Sequence, residues 1–219
     1  MGWFAEAAPI IAAVGAGVSA TGVIPVRQQL EPFIIFALPR SRTAWLSEFL
    51  TYGKWFCRHE HAIRLRSIDD FKAALAQRYV GYAETAAGPA WYLISHFRPD
   101  VRAVVVRRPV EETIAAMIEA GRVAGISYDE HALTRVMTYG ERCLERISKL
   151  PGTLTINHAD LDQEKICRRV FEYCLPYRFD RDWWLSLRER NIQVNLREFF
   201  CSYQANREAI EAFKRECRR

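Results

Sequence analysis

The sequence predicts an α/β protein, a three-layer sandwich with a central, mostly parallel sheet covered by helices on both faces. Two observations lead there. From Pro32 onward, short apolar runs alternate with amphipathic stretches of helical spacing. The apolar runs are too short for helices and are mostly bounded by turn or charged residues, as buried strands are. Strands alternating with helices give a mostly parallel sheet with both faces covered. After Leu161 the pattern is helical only, so the C-terminal third adds helices rather than strands.

The order of elements follows from local signals. Residues 1–31 form an Ala/Gly-rich extension, distinct in composition from the domain over residues 32–219. Strands are expected at Phe33–Leu38, Trp55–Arg58, Val80–Ala83, Val101–Val106 and Thr153–Ile156. A helix over Thr43–Tyr52 follows the first strand. Ser67–Gln77 opens on a serine cap with Asp69 and Asp70 in its first turn, where acidic groups meet the positive end of the helix. Ala86–Phe97 precedes the run VRAVVV. Pro109–Ala120 starts on a proline and is expected to stop at Gly121. Tyr128–Leu150 is long and ends at Pro151-Gly152, and the tail reads as helix through WWLSLRERN and NREAIEAFKREC.

Composition narrows the function. The net charge is +5 over 219 residues, which suggests an anionic partner. The basic residues are mostly arginine and are scattered, with no dense block of the kind that binds nucleic acid. Six cysteines show neither a CxxC pair nor Cys/His metal spacing, which fits reduced thiols in a reducing compartment, and the expected location is cytoplasmic. The segment MGWFAEAAPIIAAVGAGVSATGVI has no basic residue, carries Glu6 and Pro9, and is too rich in Ala and Gly to partition strongly into a bilayer. It reads as a docking helix or a partly ordered extension, with weak membrane or partner contact as the alternative. Its composition is similar to short segments of some phage virion proteins, so a phage-encoded protein acting in host cytoplasm belongs to the same expectation.

The chemistry concentrates in FIIFALPRSRTAWLSEFL, where a buried strand runs into Pro39-Arg40-Ser41-Arg42-Thr43 and then a helix. In a parallel sheet, ligands bind where strands end and helices begin. The helix start offers free amide hydrogens, Arg40 and Arg42 add charge, and Ser41 and Thr43 add hydroxyls, together an anion site. The plain alternative is a helix start with solvated arginines. The loop lacks the GxxxxGK[ST] of nucleotide triphosphatases and has no lysine in place.

Pro39-Arg40-Ser41-Arg42-Thr43-Ala44-Trp45-Leu46 resembles the 5′-phosphosulfate loop of sulfotransferases, P-[KR]-S-G-[TS]-[TS]-W-L. Arg42 stands at the family's glycine, and Ala44 at a hydroxyl that often touches the 5′-phosphate. A second segment, VRAVVVRRPVEETIAAMIEAG, resembles the family's 3′-phosphate motif of a strand followed by R-[ND]-P, with Arg107 at the arginine and Ala115 at the usual serine. Between them, WFCRHEHAIRL places Glu60 where bacterial and carbohydrate-type members keep a catalytic carboxylate. His59 and His61 flank it, and cytosolic members use a histidine for that role. If the segment is extended, the two histidines point one way and Glu60 the other. Glu84, at the end of VGYAET, could orient an acceptor or an arginine, or serve as a helix N-terminal carboxylate. The RKGxxGDW segment of the cytosolic members is absent.

The resemblance covers roughly residues 32–160. It implies a P-loop-like sulfotransferase fold of the bacterial or phage type and transfer of a sulfuryl group from 3′-phosphoadenosine 5′-phosphosulfate to a hydroxyl or amine. Arg40, Ser41, Arg42, Thr43, Ala44 and Arg107 would bind the donor. Arg40 would stabilise the departing phosphate, and Glu60 would take the acceptor's proton with His61 or His59 in reserve. No metal is expected. Two rivals stand beside it: a P-loop nucleotide kinase, which would need a lysine and a magnesium-holding hydroxyl, and a non-catalytic binding or virion-associated protein of the same fold, which Ala44, Ala115 and the unusual N-terminus favour.

Overall fold

A computed structural model describes residues 31–65 and 67–192. The N-terminal extension, apart from Glu31, and the helix expected over NREAIEAFKREC lie outside the described residues. Within the described residues five strands, β1 (Phe33–Ala37), β2 (Phe56–His59), β3 (Val80–Glu84), β4 (Arg102–Arg107) and β5 (Leu154–Asn157), form one sheet in the order β2-β3-β1-β4-β5. Every pairing is parallel, so the expected mostly parallel sheet is parallel throughout the described residues. All five residues of β1 are buried, and it sits centrally with β3 on one side and β4 on the other. The chain leaves β1 at the point where the strand order changes direction, the place where open α/β sheets hold ligands.

Among the described residues seven helices cover the sheet: α1 (Thr43–Phe49), α2 (Ile68–Leu75), α3 (Trp91–Phe97), α4 (Val110–Ala124), α5 (Glu130–Ser148), α6 (Glu164–Cys174) and α7 (Arg181–Arg188). Alternation along β1 divides them between two layers. Phe33, Ile35 and Ala37 pack with Trp45 and Phe49 of α1, Phe171 of α6 and Leu187 of α7. Ile34, Phe36 and Leu38 face the other way, onto Phe71 of α2, Ile94 of α3, Met117 of α4 and Leu144 of α5. Burying a side chain the size of Leu46 or Phe49, both fully enclosed, contributes about 1.5–3 kcal/mol each. Gly81 in β3 is required by this packing, since a Cβ there would lie 2.0 Å from the ring of Phe33.

Element boundaries differ from expectation where local chemistry intervenes. Helix α1 stops at Phe49 rather than Tyr52, because Tyr52 and Trp55 pair across a turn with Gly53 at φ +62°. Helix α3 starts at Trp91, five residues later than expected, after a 3-10 turn at Gly88-Pro89-Ala90. Gly121 does not end α4; it lies inside the helix, and Gly125, left-handed at φ +70°, forms the cap. Ser67 caps α2 as predicted, accepting from the Asp70 amide at 3.0 Å. Helix α5 begins two residues late, behind an Asp129 cap. Cys57, Cys143, Cys167 and Cys174 are buried and form no disulfide among the described residues, and Cys201 and Cys217 lie outside them. Among the described residues no helix is long and apolar enough to cross a membrane.

Candidate active site

The loop from Pro39 to Arg42 joins the end of β1 to α1 in an unusual conformation. Arg40 and Arg42 both adopt left-handed backbone, φ 62° and φ 61°. Each such residue costs about 1–2 kcal/mol when it carries a Cβ. Arg42 is therefore in a conformation that a glycine would take without cost, and it does so as the residue before α1. Between the arginines Ser41 is fully buried, and its hydroxyl has no hydrogen-bond partner. A buried hydroxyl left in that state costs about 1–3 kcal/mol, so this loop has unmet capacity for a polar ligand. Trp45 anchors the start of α1: its indole N–H donates to the Leu187 carbonyl at 2.9 Å, its ring stacks on Phe49, and the Arg42 guanidinium lies 5.2 Å from its centre.

The residue just past β4 braces the loop from the side. The guanidinium of Arg108 donates to the Arg40 carbonyl, and its Nε lies 3.6 Å from Glu112. His158, just past β5, titrates below the ordinary histidine range, first because it is half-buried and then because Arg108 and Arg42 repel its charge. Arg42, Arg108 and His158 are thus close enough to interact electrostatically beyond the ends of β1, β4 and β5. Neither Arg108 nor His158 is marked as a site residue by the sequence; the doubled arginine before Pro109 is the available signal for the first, and His158 carries none. Arg107 turns to the other layer, where it forms an ion pair with Glu141 of α5. Ala115 is exposed on α4.

The end of β2 supplies acid–base groups. His59 Nε2 lies 3.0 Å from the Thr43 hydroxyl, which ties β2 to the start of α1. Burial holds the imidazole down at about 4, so it is neutral near pH 7, and its 3.6 Å contact with Glu60 joins an uncharged ring to a carboxyl group. The expected extended alternation ends here. Glu60 turns left-handed at φ 48°, and His61 begins a 3-10 turn, so His59 and Glu60 lie together while His61 goes elsewhere. The ring of His61 sits 5.8 Å from that of Tyr82 and lines a small apolar cavity with Ile34, Phe71 and Ile94. Burial, then the charges of Arg58 and Arg64, holds its pKa at about 4.

Glu60 is 7% exposed, and burial pushes its carboxyl up to about 7 against the pull of hydrogen bonds from Thr85, whose amide donates to Oε2 at 3.3 Å. Glu84 ends β3 beside it, also buried and also raised, by burial first and then by Glu60. No group of three or more His, Cys, Asp or Glu side chains that could hold a metal occurs among the described residues. The structure therefore gathers Arg40, Ser41, Arg42, Thr43, His59 and Arg108 around one loop, with Glu60 next to His59. It leaves His61 and Arg107 directed to other partners.

No family model matches the chain, and no curated protein matches it. Its fold is similar to a solved structure described as "Sulfotransferase Domain from the Curacin Biosynthetic Pathway", with a TM-score of 0.52 over 72% of this chain and 77% of that one, at 10% identity. Likeness at that identity is one of architecture: a parallel α/β sheet of the sulfotransferase type, with helices on both faces.

Proposed function

We propose that the protein is a sulfotransferase that moves a sulfuryl group from 3′-phosphoadenosine 5′-phosphosulfate to a hydroxyl or amine. The observation that carries this reading is the β1–α1 loop, with a buried, unpartnered Ser41 hydroxyl between two left-handed arginines and a near-neutral carboxyl group close by. An oxyanion fits there. The orphan hydroxyl needs an acceptor, and guanidinium groups match phosphate and sulfate oxygens in pairs.

In the proposed reaction the acceptor oxygen or nitrogen attacks sulfur in line. The bond between sulfur and the bridging oxygen breaks, and adenosine 3′,5′-diphosphate leaves with that electron pair. Arg40, Ser41 and Thr43 hold the departing phosphate and stabilise the charge it gains. Ala44 has no hydroxyl, so its amide alone can serve at that position. Arg42 stays over Trp45 and adds positive potential from the side. Glu60 takes the acceptor proton; a carboxyl group near 7 is a far better base at neutral pH than one in water. His59, against Thr43, orients the loop hydroxyl and is the alternative proton acceptor. Arg107 would receive the 3′-phosphate by exchanging its Glu141 partner for it.

The test is transfer of label from sulfur-35 donor to a panel of hydroxyl and amine acceptors, wild type against Glu60→Gln and Arg40→Ala. Labelled product that needs both residues supports the reading. Donor that is bound but never turned over favours a non-catalytic protein of this fold, to which the Arg107–Glu141 pair and Ala115 also point. Phosphoryl transfer from ATP with magnesium would favour a kinase.

A further inference from the structure

The ends of β2 and β3 are joined in a reciprocal way that the loop chemistry does not use. The Glu84 carboxylate accepts from the amide after Glu60 (His61 N, 2.8 Å to Oε1) and from the next (Ala62 N, 3.2 Å to either oxygen). The Glu60 carboxylate in turn accepts from the amide after Glu84 (Thr85 N, 3.3 Å). Each acidic residue thus caps the backbone just beyond the other. Glu60 needs that brace, because it sits left-handed at φ 48° where the strand breaks into a 3-10 turn.

Both carboxyl groups are buried, at 7% and 3% exposure, and they interact electrostatically. The groups around them supply little compensating charge. His59, on β2, is neutral; Cys57 of β2 and Tyr82 of β3 interact electrostatically with Glu84 as uncharged acids; Arg58 acts on Tyr82 and His61, and Arg64 on His61. Among the described residues no lysine or arginine forms an ion pair with either carboxylate. Two acidic groups buried side by side cannot both ionise cheaply.

The geometry points to Glu84 as a positioning residue for Glu60: it holds the turn that aims Glu60, and the two carboxyl groups keep one proton between them as a dyad. Glu84 does not touch the reacting atoms. It acts through Glu60, by fixing the backbone and through the mutual repulsion of the two carboxylates, which raises the proton affinity of the pair. The inference rests on the reading of Glu60 as that base.

Carboxyl carbon-13 NMR of glutamate-labelled protein, followed against pH without any substrate, tests it. Glu60→Gln and Glu84→Gln assign the two signals, and the glutamine oxygen in Glu84→Gln can still accept the His61 and Ala62 amides. Wild-type signals are expected to titrate in shared steps, and the Glu60 midpoint in Glu84→Gln to fall by about one pH unit or more. An unmoved midpoint in a folded Glu84→Gln protein overturns the dyad. Should that variant not fold, the Glu84 midpoint must fall in Glu60→Gln, and an unchanged value is equally fatal. The acid limb of the turnover profile should move the same way in Glu84→Gln, a response that a purely structural brace would not give. Coupled titration without sulfuryl transfer would leave the dyad standing and remove the catalytic reading. Transfer with independent titrations would do the reverse.

Discussion

At Glu60 a buried acid sits next to a neutral histidine, and its raised pKa ties stability to pH. The carboxyl group of Glu60 loses its proton at about 7 in the folded chain and near the ordinary glutamate value of 4.5 when unfolded. Its favourable contribution is therefore complete below about pH 4.5 and is lost as pH rises through 7, a change on the order of a few kcal/mol. His59 and His61 run oppositely: their lowered pKa values make their contribution complete above about pH 6.5 and lost as pH falls toward 4. Comparing variants separates the two. Urea unfolding of Glu60→Gln against wild type should show the variant gaining relative stability from about pH 5 to about pH 8, and parallel curves would contradict the buried acid. Arg42 gives a second test at this scale. Arg42→Gly removes the left-handed strain at the cost of a more flexible unfolded chain, whereas Arg42→Ala keeps the strain and loses the Trp45 contact. The alanine variant should be the less stable of the two by about 1 kcal/mol; equal denaturation midpoints would argue against the loop conformation.

Elements position the site through a few contacts between neighbouring strand ends. Arg108, just past β4, holds the β1–α1 loop, and the end of β4 is tied to α5 through the Arg107–Glu141 pair. If Arg107 must leave Glu141 to meet a 3′-phosphate, Glu141→Gln should tighten binding of adenosine 3′,5′-diphosphate while Arg107→Ala weakens it. Both changes can be read by calorimetry, and a looser Glu141→Gln complex would show that the pair preorganises the site instead. Sheet packing is tested at Gly81, where a methyl group would collide with Phe33. Overpacking of this kind costs about 1–3 kcal/mol, so Gly81→Ala should lower the thermal midpoint, and an unchanged midpoint would mean the strands can part freely.

Across the whole molecule, the strands, most helices and the parallel sheet were legible in the sequence, because strand burial and helix amphipathicity are properties of single segments. The β1–α1 loop was legible for the same reason: a strand, a polar turn and a helix lie within one stretch of chain. What required the fold were relations between segments. The alternation rule separated Glu60 from both histidines, but a left-handed residue at Glu60 breaks the strand and sets His59 beside it. Arg108 and His158 come to the loop because the sheet order places β4 and β5 on the same side of β1, which no local pattern encodes. Gly121 does not mark the end of α4, because it lies within the helix to admit the ring of Tyr128, 2.5 Å from where a Cβ would stand.

The proposed sulfuryl transfer depends on the arginine loop holding a nucleoside with two phosphates, and calorimetric titration with adenosine 3′,5′-diphosphate in the presence of EDTA tests that most directly. Saturable binding at one site, weakened about tenfold or more by Arg40→Ala, is the predicted result. Absence of binding, or binding of ATP alone and only with magnesium, would contradict it.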